Sequence, residues 1–219
     1  MGVELMALNG LIAPVDGIFL PGSGPFATRF NCASGYLALD ERSFVASEGK
    51  VVILHYDDHF GNLGKTEREF WTRIVFIPTA ALVADSKGKI PANTVCEAFL
   101  KGKSRTVFQQ AAVIATQKFK KGLAQLICEF KSVAEKNEKG NYASFAFEFS
   151  EPEKSDASFM GEVLSFAQSV DPDAVQSFKA PGLIPLDSIP ADELALLKSH
   201  HVSAVTSEPM AQLPALNAA

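Results

Sequence analysis

The sequence predicts an α+β fold of mostly antiparallel strands, with one inserted helix and short C-terminal helices. Two β-branched runs of strand length lie in the first half of the chain. A helical apolar period and then a strict alternation of phenylalanines follow them. With 219 residues, 47% of them hydrophobic, the chain is long enough to bury a sizeable core. We therefore expect one main domain with flanking segments.

The first two strong strand segments are residues 50–56 and 70–77. Pro78 ends the second, and a polar stretch rich in Asp, Gly and Asn separates the two. This pattern predicts a hairpin-like pair with a long loop. Shorter apolar runs at 36–39 and 44–45 flank a turn-prone Asp-Glu pair.

A helix is predicted over residues 105–120. Apolar residues recur there at helical spacing, Ser104 is the expected N-cap and Gly122 the expected stop. Strands are predicted next at 123–131 and 141–150, joined by a polar turn. In the second of these, Phe145, Phe147 and Phe149 alternate with smaller or charged residues, which is typical of a half-buried strand.

The flanks differ in composition from this middle part. Residues 1–34 are punctuated by Pro and Gly and are predicted to form an extended N-terminal arm. Residues 35–150 form the predicted main domain. Residues 151–201 form an acidic helical region with helices near 159–170 and 190–200, and 202–219 form a tail.

Positive charge is concentrated in the middle of the chain. Residues 87–140 contain 11 Lys/Arg against 4 Asp/Glu, a local net charge of +7, although the whole chain carries −5. Such a concentration indicates an anionic partner and says nothing about the fold.

Motifs for known chemistries are absent or incomplete. The segment Gly61-Asn62-Leu63-Gly64-Lys65-Thr66 imitates a phosphate-binding loop but lacks the required spacing. His55, Asp57 and His59 would share one face of a strand and could bind a metal, although three ligands on one strand rarely converge on one ion. No G-x-S-x-G or C-x-x-C is present, and the three cysteines are widely spaced. We therefore expect no catalytic site, metal or cofactor.

The basic segment combines cations with aromatic residues, the two ingredients of single-strand nucleic-acid binding. The phenylalanines of this segment are Phe99, Phe108, Phe119 and Phe130. An alternative is that most of them are core residues and that the lysines lie on the opposite, solvated face. The predicted nucleic-acid-binding residues are Lys101, Lys103, Arg105, Lys118, Lys120, Lys121, Lys131, Phe99 and Phe119.

The predicted element order, with several strands, then a helix, then two strands, resembles that of OB-type single-stranded DNA-binding proteins. This resemblance covers residues 35–150 and implies an OB-like β-barrel with a helix between its third and fourth strands. The final residues contain a single acid, Glu208, where such proteins often carry a dense acidic tip.

Two functional hypotheses follow. The first is a non-enzymatic protein that binds single-stranded nucleic acid, with DNA as the expected form, from a phage or plasmid. The second is a structural or assembly subunit of a virion or multiprotein complex that uses its N- and C-terminal arms. A homo-oligomer and a protein partner for the acidic C-terminal region are further hypotheses. The lack of a membrane span or secretory signal favours a cytoplasmic location.

Overall fold

The computed structural model describes residues 11–12, 17–22, 24–138, 140–170 and 182–205. The strands are β1 (Leu11–Ile12), β2 (Leu20–Pro21), β3 (Phe26–Ala27), β4 (Arg29–Asn31), β5 (Tyr36–Ala38), β6 (Phe44–Ala46), β7 (Glu48–Leu63), β8 (Thr66–Pro78), β9 (Cys96–Lys101), β10 (Ile127–Asn137), β11 (Gly140–Ser150) and β12 (Leu183–Pro185). The α-helices are α1 (Ala80–Asp85), α2 (Gly102–Phe119), α3 (Ala157–Ser169) and α4 (Ala191–Val205). Short 3-10 turns occupy Leu123–Gln125, Lys154–Asp156 and Leu186–Ser188.

A long antiparallel hairpin of β7 and β8 forms the centre of the molecule. The predicted long loop between these strands is wrong, because pairing continues to Leu63 and Thr66 and leaves only Gly64 and Lys65 in the turn. Gly64 has φ +61°, a conformation that glycine adopts without steric cost. The segment that imitates a phosphate-binding loop is therefore the tip of this hairpin.

Seven strands form the main sheet, and β7 lies in its middle. Strands β7, β8 and β9 form an antiparallel meander, and β10 returns beside β7, which gives the spatial order of a Greek key. Strand β11 pairs with β10 at one edge, β3 pairs in parallel with β9 at the other, and β12 pairs with the far end of β7. Mostly antiparallel strands with a few helices confirm the predicted α+β class. The described sheet does not close into a barrel, so the predicted OB barrel is not confirmed.

Helix α2 lies against the free edge of β11. The Phe145 amide donates to the Ser104 hydroxyl at 3.0 Å, and the Ala143 amide donates to the Cys32 carbonyl at 2.7 Å. Ser104 is therefore not the N-cap that the sequence predicts, because α2 begins at Gly102, after Lys101 at the N-cap. Its hydroxyl instead satisfies a buried donor of the strand.

Two apolar cores lie on opposite faces of the sheet. The first contains Phe30, Phe108 and Phe130 together with the inward residues of β11, and it is covered by α2 and the β4–β6 meander. Phe145, Phe147 and Phe149 are all buried and Glu148 is exposed, which confirms the predicted alternation. The second core lies under α3 and includes Val52, Val75, Ile77, Val163 and Phe166.

The described parts of the predicted flanks pack on these cores. In the predicted N-terminal arm, Ile18 and Leu20 belong to the second core and Phe30 to the first. Helices α3 and α4 lie where the sequence predicts C-terminal helices, and α4 continues to Val205, beyond the predicted boundary at residue 201. The rest of the predicted tail, residues 206–219, lies outside the described residues.

The three cysteines, all within the described ranges, are free thiols, as expected from their spacing. Within the same ranges, the structure has no helix that is both long and apolar enough for a membrane span.

Candidate functional site

A polar cluster lies on the face of the central hairpin that carries the second core. We call it the outer-face cluster, and it consists of His55, Asp57, His59, Trp71, Arg73, Glu97, Phe99 and Lys101. The register pairs His55, Asp57 and His59 of β7 with alternate residues of β8, so these three side chains share one face, as the sequence predicts. The β9 residues of the cluster are opposite β8 on the same face.

Arg73 is the centre of the outer-face cluster. Its side chain is only 1% exposed, and its Nε and Nη2 atoms each donate to Asp57 at 2.9 Å. Glu97 lies 3.9 Å from Nη1 as a second carboxylate. A buried guanidinium needs such paired acceptors, because an uncompensated buried charge is strongly destabilising. Burial raises the pKa of Glu97, although the positive charge of Arg73 acts in the opposite direction.

Burial disfavours the charged form of the two histidines beside this ion pair. Burial lowers the pKa of both His55 and His59, although Asp57 acts in the opposite direction. His55 Nε2 and His59 Nδ1 are buried and have no hydrogen-bond partner among the described residues. Among the described residues, no group of three or more His, Cys, Asp or Glu is placed to hold a metal ion. Arg73 already uses both oxygens of Asp57, the carboxylate that such a site would need.

A second polar cluster joins the hairpin to α2 on the opposite face. Gln109 donates to the two carboxylate oxygens of Asp58 at 2.8 and 2.9 Å, and the Thr72 hydroxyl also donates to Asp58. Arg105 lies 3.3 Å from the same carboxylate and 5.7 Å from the centre of the Phe70 ring. Arg105, a predicted nucleic-acid contact, therefore holds α2 on the hairpin.

Three further predicted cations form ion pairs with acids. Lys103 lies 2.5 Å from Glu135, Lys121 lies 2.5 Å from Glu151, and Lys131 lies 3.6 Å from Glu48. These pairs are all partly or fully exposed, so each contributes little to stability. They nevertheless reduce the positive charge that a polyanion would meet.

The remaining predicted cations have no acid within ion-pair distance in the described part of the chain. Lys101 donates to the Thr66 hydroxyl at 2.7 Å and lies 5.5 Å from the centre of the Trp71 ring. Lys118 lies 4.8 Å from the centre of the Phe119 ring at the end of α2, and Lys120 follows as its C-cap. Both Lys118 and Lys120 are exposed.

The predicted binding residues do not share one surface. Lys101 and Phe99 lie in the outer-face cluster, whereas Lys118 and Lys120 lie at the far end of α2. The 18 residues of α2 separate the two groups by roughly 25 Å at 1.5 Å per residue. Phe119 packs partly on the first core and Phe99 is half-buried, while Phe108 and Phe130 are fully buried. The alternative that most of these phenylalanines are core residues is confirmed for the last two.

An exposed aromatic pair lies elsewhere, and sequence reasoning did not identify it. Tyr36 and Phe44 are 39% and 37% exposed, their ring centres are 5.3 Å apart, and their planes are inclined by 33°. The sequence shows only two short apolar runs around a turn at this point. The sequence does show that β5 and β6 each begin with an aromatic residue. The face of the sheet on which each ring lies depends on the strand register, which the sequence does not show.

Comparison of the chain with known protein families, curated proteins and solved structures gave no match.

Proposed function

We propose that this protein binds single-stranded nucleic acid, with DNA as the expected form. One observation carries the proposal. A Greek key of β7, β8, β9 and β10 has its helix, α2, between the third and fourth strands, and β11 follows as the fifth. This element order resembles that of the OB fold, a five-stranded and partly open Greek-key barrel. In that fold, oligonucleotides bind to strands 2 and 3 and to the loops after strands 1 and 4.

The residues of the equivalent region support this function. Strands 2 and 3 correspond to β8 and β9, where Trp71, Phe99 and Lys101 lie together on the outer face. The loop after strand 1 corresponds to the Gly64–Lys65 turn, where the exposed Lys65 ammonium lies 3.5 Å from the Glu41 carboxylate. Lys118 and Lys120 add exposed positive charge without an acidic partner in the described residues. Phosphate contacts from such cations supply most of the sequence-independent affinity.

The test compares two lysine pairs that carry equal charge but differ in their partners. Fluorescence anisotropy with a labelled oligothymidylate gives Kd for the wild type, K118A/K120A and K103A/K131A over a range of salt concentrations. We expect K118A/K120A to weaken binding and to lower the salt slope by about 0.7 for each phosphate that the variant no longer neutralises. K103A/K131A should change binding much less, because Glu135 and Glu48 already neutralise those lysines. Absence of binding by the wild type at low salt would refute the proposal.

A second candidate function is that of an assembly subunit. Val113 and Ile114 are adjacent on α2 and are 51% and 61% exposed. Contiguous exposed apolar patches that polar residues surround mark protein–protein contacts, and these two side chains are a candidate for the centre of one. Gln110 and Gln117, both exposed, are within one helical turn of this pair.

A further inference from the structure

The β4–β6 meander presents two aromatic rings to solvent on one face. Asn31 is opposite Tyr36, Arg29 is opposite Ala38, and Ala38 is opposite Phe44. Directly opposed residues of antiparallel strands share a face, so Arg29, Tyr36 and Phe44 lie on the same side. Phe30 and Leu37 alternate with them and are buried in the first core.

The two rings form a contiguous aromatic surface. They flank Ala38, whose small side chain is fully buried, while more than a third of each ring residue stays exposed. Tyr56 has the same exposure, 38%, but its ring packs edge-on against Phe108 at 5.5 Å and belongs to the α2 interface. The Tyr36–Phe44 pair therefore offers ring surface that no core residue contacts in the part of the chain that the structure describes.

Two cations lie near this aromatic pair. The Lys89 ammonium donates to the Phe44 carbonyl at 2.6 Å, so it lies beside the backbone of that residue. Arg29 is exposed on the same face. The nearby acid Asp40 accepts hydrogen bonds from the Arg42 and Ser43 amides at 2.7 Å and from the Ser43 hydroxyl at 2.8 Å, and these bonds, with a smaller contribution from the charge of Arg29, lower its pKa.

We propose that Tyr36 and Phe44 are the base-stacking residues of this protein, with Arg29 and Lys89 contacting the adjacent phosphates. The inference rests on the proposed function. The meander covers the first core, so this surface lies on the other side of the main sheet from the outer-face cluster, and it differs from all the sequence-predicted contacts. Every nucleobase has a flat π-face, so stacking on exposed rings is tolerant of sequence, and nearby cations follow the backbone. An aliphatic protein partner would not require two cations near the rings.

The first measurement is oligothymidylate affinity by anisotropy for Y36L/F44L, Y36F and Y56L. Loss of each stacking ring should raise Kd at least about fivefold, so the double variant should lose at least about 25-fold. Y36F keeps the ring and should bind like the wild type. Y56L removes a tyrosine of equal exposure from the α2 interface and serves as the matched control.

The second measurement uses the unmodified protein and does not depend on how a variant folds. An oligonucleotide containing 5-iododeoxyuridine is photocrosslinked to the wild type, and peptide mapping locates the adducts. Adducts on Tyr36 or Phe44 support the inference.

Three outcomes separate the possible failures. If the wild type binds but its adducts map elsewhere, or if folded Y36L/F44L keeps full affinity, the stacking assignment is overturned and the proposed function stands. If the wild type does not bind, the proposed function itself is overturned. If Y36L/F44L loses self-association in sedimentation velocity while its affinity for the oligonucleotide is unchanged, the rings contact a second copy and the assignment is also overturned.

Discussion

The buried Arg73 determines the character of the outer-face cluster. A guanidinium inside a sheet is tolerated here because Asp57 binds it through two parallel hydrogen bonds and Glu97 lies close by. His59 Nε2 is 3.6 Å from the Asp57 carboxylate, which already serves Arg73. A protonated His59 would therefore share its acid with the arginine, and burial opposes its charge further.

Stability should fall in mild acid because of the two histidines. Burial lowers the pKa of His55 and His59 in the folded chain. In the unfolded chain the histidine pKa is about 6.5, so on acidification the unfolded state binds protons before the folded state does. The contribution of the two neutral histidines to the free energy of unfolding is complete above that pH and is lost as the pH falls below it. Glu97 offsets part of the loss, because burial raises its pKa and the folded state takes up its proton first.

Urea unfolding at pH 7.5 and 5.5 measures this effect. The wild type should have a lower midpoint at pH 5.5, and H55Q/H59Q should show a smaller change between the two pH values. An equal change in both proteins would show that other groups cause the acid sensitivity.

At the scale of elements, α2 is fixed to the sheet by polar contacts at its beginning. Ser104 accepts the Phe145 amide, and Gln109 binds Asp58 one turn further on. These contacts join the helix both to the edge strand β11 and to the central hairpin. The Ser104 contact, with the Ala143 amide bound to the Cys32 carbonyl, satisfies two amides on the free edge of β11.

Replacing Ser104 with alanine should destabilise the protein by about 1–3 kcal/mol, because the buried Phe145 amide loses its acceptor. Thr106 is exposed on the same helix, and T106A should stay within about 0.5 kcal/mol of the wild type. Chemical denaturation of both variants gives the comparison. A Ser104 variant as stable as T106A would mean that water or a shifted backbone satisfies the amide.

Local patterns predicted α2 and β11 because their apolar periods are strong and continuous. The continuation of β7 and β8 through residues 57–69 was not predicted, because polar side chains there resemble a loop. Their polarity has a structural cause: Asp57 pairs with Arg73 across the strands, and Asp58 is bound by Thr72 and Gln109. Partners so far apart in sequence leave no local signal. The sequence therefore predicted a shared face only for the three β7 residues of the outer-face cluster, and it named Phe99 and Lys101 separately, as nucleic-acid contacts.

For the whole molecule, charge in sequence and charge in space differ. The basic middle segment carries +7 in sequence. In the folded chain, Arg105 and Lys131 pair with the acids Asp58 and Glu48 of the N-terminal half, and Lys121 pairs with Glu151 beyond the segment. With Lys103, which pairs with Glu135, four of the segment's 11 cations form ion pairs in the described part of the chain, and the binding of a polyanion depends on the others.

Self-association is the property that tests the second candidate function. Val113 and Ile114 would form the apolar centre of an interface, but a stable one buries about 1,200–2,000 Å² in total. Two side chains supply only part of that area, so we expect weak association that increases with protein concentration. Sedimentation velocity from micromolar to several hundred micromolar protein should show this increase for the wild type.

The variant V113S/I114S should remain monomeric over the same range while its oligonucleotide affinity is unchanged, because α2 presents these residues away from the first core. V133S changes a valine that is 40% exposed on β10 and controls for the general loss of apolar surface. A wild type that sediments as a monomer at every concentration, with and without oligonucleotide, would exclude assembly through α2 and leave nucleic-acid binding as the single candidate.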